Sequence, residues 1–335
     1  MGYQTIVVTG ATGFLGGRLV ERLLVTPGVR RVVASGRNAA TGAHLASLGA
    51  EFVPGDLTSP DMADRLVSGA DAVVHCAARS SPWGAYEAFF QANVLATRYL
   101  LDAMARHQVR RLVHISTPSV YFNYQNRFDI TEDEPLPATF VNAYAATKRE
   151  AELEVLNRQA QDGLEAVIFR PRAIIGRGDT VIMPRILAAH KAGRLRIIGD
   201  GTTLTDVTCV SNLIDAILLG LDARGAALGQ IYNITNGEPV NLWDLFREVF
   251  YLLDIPLSLR KAPYPVVMGL ATLLEWQARY ITHREPTLTR YGAGILACSM
   301  THNIDKARDL LGYVPRQTHT DASREFAAWY QTQST

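Results

Sequence analysis

A short apolar run, Thr5–Thr9, leads into the residues TGATGFLG, Thr9 to Gly16, and these open an amphipathic stretch, Gly13–Leu24. Three glycines at this spacing between a strand and a helix admit few folds. Gly10 permits a tight turn, Gly13 lets the backbone approach a pyrophosphate, and Gly16 lets the helix pack closely on the strand. The helix start then turns amide donors and a positive dipole end toward the phosphates, with Thr12, Phe14 and Leu15 around the turn. The loop predicts a dinucleotide bound beyond the carboxyl end of the first strand of a parallel sheet.

The first half of the chain repeats this alternation. Strands are predicted at Arg31–Ser35, Glu51–Pro54, Ala72–His75, Arg111–Ser116 and Ala166–Arg170, with long helices at Tyr86–Arg106 and Asn142–Gln161. Such alternation implies the α/β class, as a doubly wound parallel (Rossmann) sheet with right-handed crossovers. Beyond residue 172 the pattern is less regular. Helices are expected at Met183–Ala192, Asn212–Leu221, Leu242–Leu253, Val266–Ile281, Asp305–Leu311 and Ala322–Tyr330, and a strand at Gln230–Ile234. No repeat or low-complexity linker divides the chain. The expectation is a dinucleotide domain over 1–172, to which 207–235 returns, and a smaller, interleaved C-terminal substrate lobe from 173–206 and 236–335.

Composition excludes several classes. With 48% apolar and 19% charged residues the chain is globular rather than disordered. A net charge of +1 with both signs interspersed leaves no nucleic-acid footprint. Cys76, Cys209 and Cys298 are scattered and lack metal-ligand spacing, so no metal is expected and free thiols in a reducing, cytoplasmic setting are. The first apolar run is too short for a signal peptide, and no stretch reaches the ~18 apolar residues of a membrane span. The nearest approach, Pro265 to Leu274, is followed by Glu275, Gln277 and Arg279.

About 20 residues past the glycine loop, an acidic side chain is the usual partner of the adenine ribose of NAD. This chain has Ala34, Ser35, Gly36, Arg37 and Asn38 there instead. Arg37 suits a 2′-phosphate, with Ser35 and Asn38 as further hydrogen-bonding groups, so NADP(H) is expected ahead of NAD(H), which stays possible. Asp56 and Leu57 suit adenine recognition, and the small Ala77 and Ala78 let the cofactor lie close. Asn93 lies inside a long helix, where asparagine is disfavoured; a buried hydrogen-bonding task or a plain helix surface fits it equally.

Tyr144 and Lys148 stand one helical turn apart, on the same face. A cation beside a phenol favours phenolate and lowers a pKa that is otherwise near ~10. Ser116 and Thr117, 28 and 27 residues upstream of Tyr144, end the fifth strand, where a hydroxyl can bind a carbonyl or carbinol oxygen. Trp83, in a loop after the fourth strand, is the better substrate contact, whereas Phe89 and Phe90 read as helix packing. The segment Thr117–Val141 is long for a connection and rich in aromatics, which reads as a functional lid. In Val266–Ile281, helical spacing puts Val267, Leu270, Leu274, Ala278 and Ile281 near one face, expected to pack on the protein, line a greasy pocket or touch a membrane surface.

In combination these runs resemble the extended short-chain dehydrogenases/reductases over nearly the whole chain. The resemblance includes Gly55-Asp-Leu57, Asn93-Val94, Ser116-Thr117, Val120-Tyr121, Tyr144-x-x-x-Lys148, Arg170-Pro171 and Leu311-Gly-Tyr313. It implies Tyr144 as acid/base, Lys148 on the nicotinamide ribose, Thr117 or Ser116 on the substrate oxygen, Pro171 beside nicotinamide and Tyr121 at the substrate. It also implies a homodimer through the two long helices. The second half is most similar to the branch of 3β-hydroxysteroid and sterol-4α-carboxylate 3-dehydrogenases, with bacterial 2-alkyl-3-oxoalkanoate reductases near it. That branch implies a small hydrophobic substrate bearing a secondary alcohol or ketone. Two rivals are a nucleotide-sugar epimerase or dehydratase and a non-catalytic NADP(H)-binding sensor. Pro118, where sugar dehydratases generally carry an acid, counts against the first, and the Tyr144–Lys148 pair against the second.

Overall fold

The computed structural model describes residues 2–333. Seven parallel strands form the main sheet: β1 (Thr5–Thr9), β2 (Arg31–Gly36), β3 (Glu51–Pro54), β4 (Ala72–His75), β5 (Arg111–Ile115), β6 (Glu165–Pro171) and β7 (Gln230–Ile234). Their spatial order is β3-β2-β1-β4-β5-β6-β7, so the winding reverses between β1 and β4. That reversal opens a crevice at the carboxyl ends of both strands, beneath the glycine loop. The central strands are short unbroken apolar runs because both sheet faces are covered. Ile6, Val8, Val74 and Val113 face one helix layer; Val7, Val73 and Leu112 face the other.

The stretch predicted as one helix over 86–106 is three pieces. Tyr86–Phe89 is α-helical, Phe90–Leu95 is a π-helical turn, and Ala96–Arg106 resumes the α-helix. The widened turn holds Asn93 fully buried.

Residues 117–141 are not a free lid. Arg127–Ile130 pairs with Met300–His302 in a second, four-stranded sheet completed by Leu204–Thr205 and Val240–Asn241. Val120, Tyr121, Phe122 and Ile130 are buried against Cys298 and Met300. The aromatic content that read as a lid is the core of this second sheet.

Helix Arg290–Ala297, absent from the sequence expectation, begins at Thr289, whose hydroxyl accepts the Gly292 amide at 2.9 Å. Helix Tyr264–Gln277, continued by a π-helical turn Ala278–Thr282, packs beside it. The packed side carries Val267, Ala271 and Ala278, whereas Leu270 and Ile281, predicted to share it, are exposed. Alanines at the contact let the helices approach closely, and large apolar residues lie on the bare side as well as the packed one, which leaves periodicity no means of choosing the face. Among the described residues no helix is long and apolar enough to cross a membrane, and Cys76, Cys209 and Cys298 are free.

Candidate active site

Asn142 starts the helix Ala143–Asp162 by accepting the Ala145 amide at 2.8 Å. Its inward face presents Tyr144, Lys148 and Glu152 in successive turns toward the end of β5. The Thr117 hydroxyl lies near enough to the Tyr144 phenol to pull its pKa down. Thr117 Oγ1 donates to Ser119 Oγ at 3.0 Å, and Ser119 Oγ lies 2.7 Å from the Tyr291 hydroxyl. Four hydroxyls thus line one path across the strand end. Burial pushes the Tyr144 phenol up to about 12, against the pull of Thr117.

The expected lowering of Tyr144 by Lys148 is not found. Lys148 Nζ donates to the Ile115 carbonyl at 2.6 Å and lies 3.3 Å from His114 Nε2, so its charge is held at the end of β5. Burial lowers Lys148 to about 8, with Glu152 acting in the opposite direction. His114 and His75 are lowered too, His75 to about 3, by burial and by the Lys148 charge, which keeps both imidazoles neutral. His75 in turn holds Thr9 Oγ1 at 2.7 Å and Thr97 Oγ1 at 3.1 Å.

Ser116, the other candidate hydroxyl, turns away. It donates to Glu152 Oε1 at 2.6 Å. Glu152 is fully buried and also takes Arg170 Nε at 2.7 Å and Arg149 Nη1 at 2.9 Å. Tyr121 belongs to this network, not to a substrate surface: it is fully buried, receives Arg170 Nη1 and donates to Asn233 Oδ1 at 3.1 Å.

The glycine loop fits a dinucleotide. Gly10 has φ +67°, and a Cβ there would stand 2.7 Å from the Ala77 amide nitrogen; one on Gly16 would collide with the Gly10 carbonyl. Gly13 is exposed at the helix start with no side chain capping it, and Thr12 packs over Gly36. The Ser35 hydroxyl is buried beside this loop with no hydrogen-bond partner among the described residues. Phe14 is half-buried and Leu15 buried. Arg37 is exposed, with Nη1 at 3.5 Å from Asp56 Oδ2.

Other expected cofactor groups are already engaged. Asn38 caps the helix Ala39–Ser47 by accepting the Thr41 amide at 3.0 Å. Asp56 Oδ1 accepts the Thr58 amide and hydroxyl, both at 3.0 Å, which shapes the turn after β3. Leu57 is buried in the core, leaving only its backbone to a ligand. The Asn93 amide is spent on protein: Oδ1 accepts the Arg79 amide at 2.7 Å, and Nδ2 donates to the Arg79 carbonyl and to Thr147. It pins the loop after β4 rather than reaching a cofactor. Ala77 is half-buried, Ala78 exposed, Pro171 buried at the end of β6, and Trp83 half-buried in its loop.

Several residues at the site escaped the sequence reading. Glu152 had a signal, since it repeats the four-residue spacing of Tyr144 and Lys148. Ser119 and Tyr291 had none, because their meeting spans 172 residues. Arg172, just past β6, is buried; among the described residues its guanidinium bonds only the Thr205 hydroxyl, at 3.2 and 3.3 Å. Burial holds Arg172 below the usual arginine value, against the pull of Tyr291 and Asp206. The next residue, Ala173, has φ +40°, a left-handed conformation costly for alanine.

Comparison with known proteins identifies the family. Residues 6–235 match the model of the NAD dependent epimerase/dehydratase family. The chain is 38% identical to YbjS of Escherichia coli, covering 97% of each. It is 34% identical to a 2-alkyl-3-oxoalkanoate reductase of Stenotrophomonas maltophilia, covering 96% of this chain and 98% of the relative. It is 33% identical to a decarboxylating sterol-4-alpha-carboxylate 3-dehydrogenase of Candida albicans, covering 93% of each. UDP-glucose 4-epimerase of Thermotoga maritima shares the fold, with a TM-score of 0.80 at 18% identity, covering 99% of this chain and 100% of that one. The chain therefore belongs to the NAD dependent epimerase/dehydratase family, the extended short-chain dehydrogenases/reductases, and is a nicotinamide-dinucleotide enzyme acting on CH–OH groups.

Proposed function

We propose that the protein is an NADP(H)-dependent oxidoreductase that interconverts a ketone and a secondary alcohol in a hydrophobic 3-oxo or 3-hydroxy acid. The observation that carries this is the buried Tyr144 phenol beside Thr117 at the sheet end, with the buried Arg172 guanidinium, hydrogen-bonded to Thr205 and in no ion pair among the described residues, just past β6. A bound nicotinamide dinucleotide supplies or takes the hydride. Thr117 orients the substrate oxygen, and Tyr144, a neutral phenol at pH 7, donates its proton as that oxygen gains charge. Lys148, held at Ile115, presents its remaining donors to a ribose. Ser116 supports the site from below through Glu152.

Arg172 is assigned the substrate carboxylate. A guanidinium is built for bidentate pairing with a carboxylate, yet Arg172 joins no ion pair among the described residues. The names of the two functionally described relatives reported above both contain a carboxylate, which agrees with that assignment. For the cofactor, Arg37 with the unpartnered Ser35 hydroxyl and no carboxylate at the end of β2 supports NADP(H).

One assay series tests the reading: reduction of a 2-alkyl-3-oxo acid and of its methyl ester, each with NADPH and NADH. The acid with NADPH is expected to give the highest kcat/KM, and a tenfold preference for NADH would remove the cofactor assignment. Arg172→Met is expected to cut kcat/KM for the acid by about 10- to 100-fold, as loss of hydrogen bonds to a charged group does, and to change the ester little. Equal losses on acid and ester would reduce Arg172 to a structural role.

A further inference from the structure

Helix Tyr264–Gln277 with its π-helical turn Ala278–Thr282 carries large apolar residues both on its packed side and away from it. Here Val266, Leu270, Leu273, Trp276, Tyr280 and Ile281 stay between 51% and 67% exposed. They succeed one another turn by turn over roughly 22 Å at 1.5 Å per residue. Single exposed apolar residues need no explanation, but a contiguous stripe of this length does.

The ends of the stripe carry a consistent charge. Residues 260–285 hold Arg260, Lys261, Arg279 and Arg284 against the two carboxylates Glu275 and Glu285, in a chain whose net charge is only +1. All four cations are exposed, while Glu275 turns back to accept the Arg290 amide at 2.7 Å. Trp276 and Tyr280 stand together near the C-terminal end, ring centroids 5.8 Å apart. Indole and phenol are the side chains that settle at a membrane–water boundary.

We propose that this face docks on an anionic lipid surface, with the helix lying in the plane of the interface. It does not cross the bilayer, since no described helix is long and apolar enough. A second copy of the chain is the poorer occupant. Both ends of the stripe are cationic, so pairing two such helices in either direction sets like charges against each other. An anionic leaflet answers the apolar stripe and both charged ends together. The inner side of the same helix packs on Arg290–Ala297, whose Tyr291 bonds Ser119 beside Thr117, so the lipid-facing element also walls the candidate site.

Co-sedimentation of the full chain with vesicles decides the matter. Vesicles of phosphatidylcholine mixed with phosphatidylglycerol are expected to carry the protein down, and pure phosphatidylcholine vesicles to carry less. Leu270→Ser/Leu273→Ser is expected to lower partitioning at least tenfold while leaving the melting temperature in place. Arg279→Gln/Arg284→Gln is expected to abolish the advantage of the anionic vesicles. The proposal fails if the wild-type chain stays in the supernatant with both vesicle types, or if the serine variant sediments like wild type. It also fails if vesicle binding is absent and the serine variant converts a dimer to a monomer on gel filtration, which would mark a contact between copies. Vesicle binding needs no turnover, so it is decided separately from the oxidoreductase reading.

Discussion

Replacing Tyr144 with phenylalanine lowers kcat for ketone reduction by about 10²- to 10⁴-fold, the range supplied by a positioned general acid. The ring keeps its place in the first turn of its helix, so binding of NADPH, followed by fluorescence, is expected to change little. The size of the effect follows from the proposed assignment: in the variant Thr117 would be left to hold the substrate oxygen by itself, and its partner Ser119 is tied to Tyr291. Burial that lifts the Tyr144 phenol to about 12 keeps it protonated at neutral pH, which favours reduction. Oxidation needs the phenolate, so its rate is expected to rise toward alkaline pH while the reduction rate does not. A Tyr144→Phe enzyme with full turnover would end this assignment, and Thr117→Val or Lys148 variants could not rescue it.

Glu152→Gln is expected to destabilise the fold by about 3–5 kcal/mol, the cost of leaving a buried ion pair without one partner. Glu152 and Arg170 are both essentially inaccessible, and the carboxylate also serves Ser116 and Arg149. Burial alone would raise the Glu152 pKa, but the Arg170 charge and these hydrogen bonds reverse that, leaving it below the usual 4.5. A carboxylate lowered by folding stabilises the native state above its unfolded pKa and stops doing so as pH falls through the folded value. The stability gap between wild type and variant, measured by urea unfolding, is therefore expected to be full at pH 7 and to shrink below about pH 4.5. Replacing the pair together, Glu152→Met with Arg170→Met, should recover part of the loss, because no buried charge is then left alone. A shift under 0.5 kcal/mol for the single variant, the size ordinary at exposed positions, would show that the network carries no stability.

Legibility followed the range of the interactions. The glycine loop was readable because the demands on Gly10 and Gly16 come from a turn and a helix start a few residues away. Tyr144 and Lys148 were readable as neighbours, because one helical turn sets their spacing. What Lys148 does with its charge was not readable, since Ile115 and His114 lie more than thirty residues upstream. The same holds for Tyr121, whose place in a cofactor-family motif drew it toward the substrate, while Arg170 and Asn233 hold it in the core. Thr117 and Ser116 are adjacent and chemically alike, so only the strand's alternation of faces could part them: one side chain meets Tyr144 and the other Glu152.

By itself the amino-acid sequence determined the α/β class, the winding of the sheet, the dinucleotide loop and the helix bearing Tyr144. All of these depend on periodicity and on local backbone demands. Tertiary structure alone decided which strand-end hydroxyl faces Tyr144, that Arg172 lies buried with no ion pair among the described residues, that residues 117–141 are woven into a second sheet, and which side of helix Tyr264–Gln277 is left bare. Those outcomes arise where segments remote in the chain compete for the same space, and a single stretch of sequence holds no record of its distant neighbours.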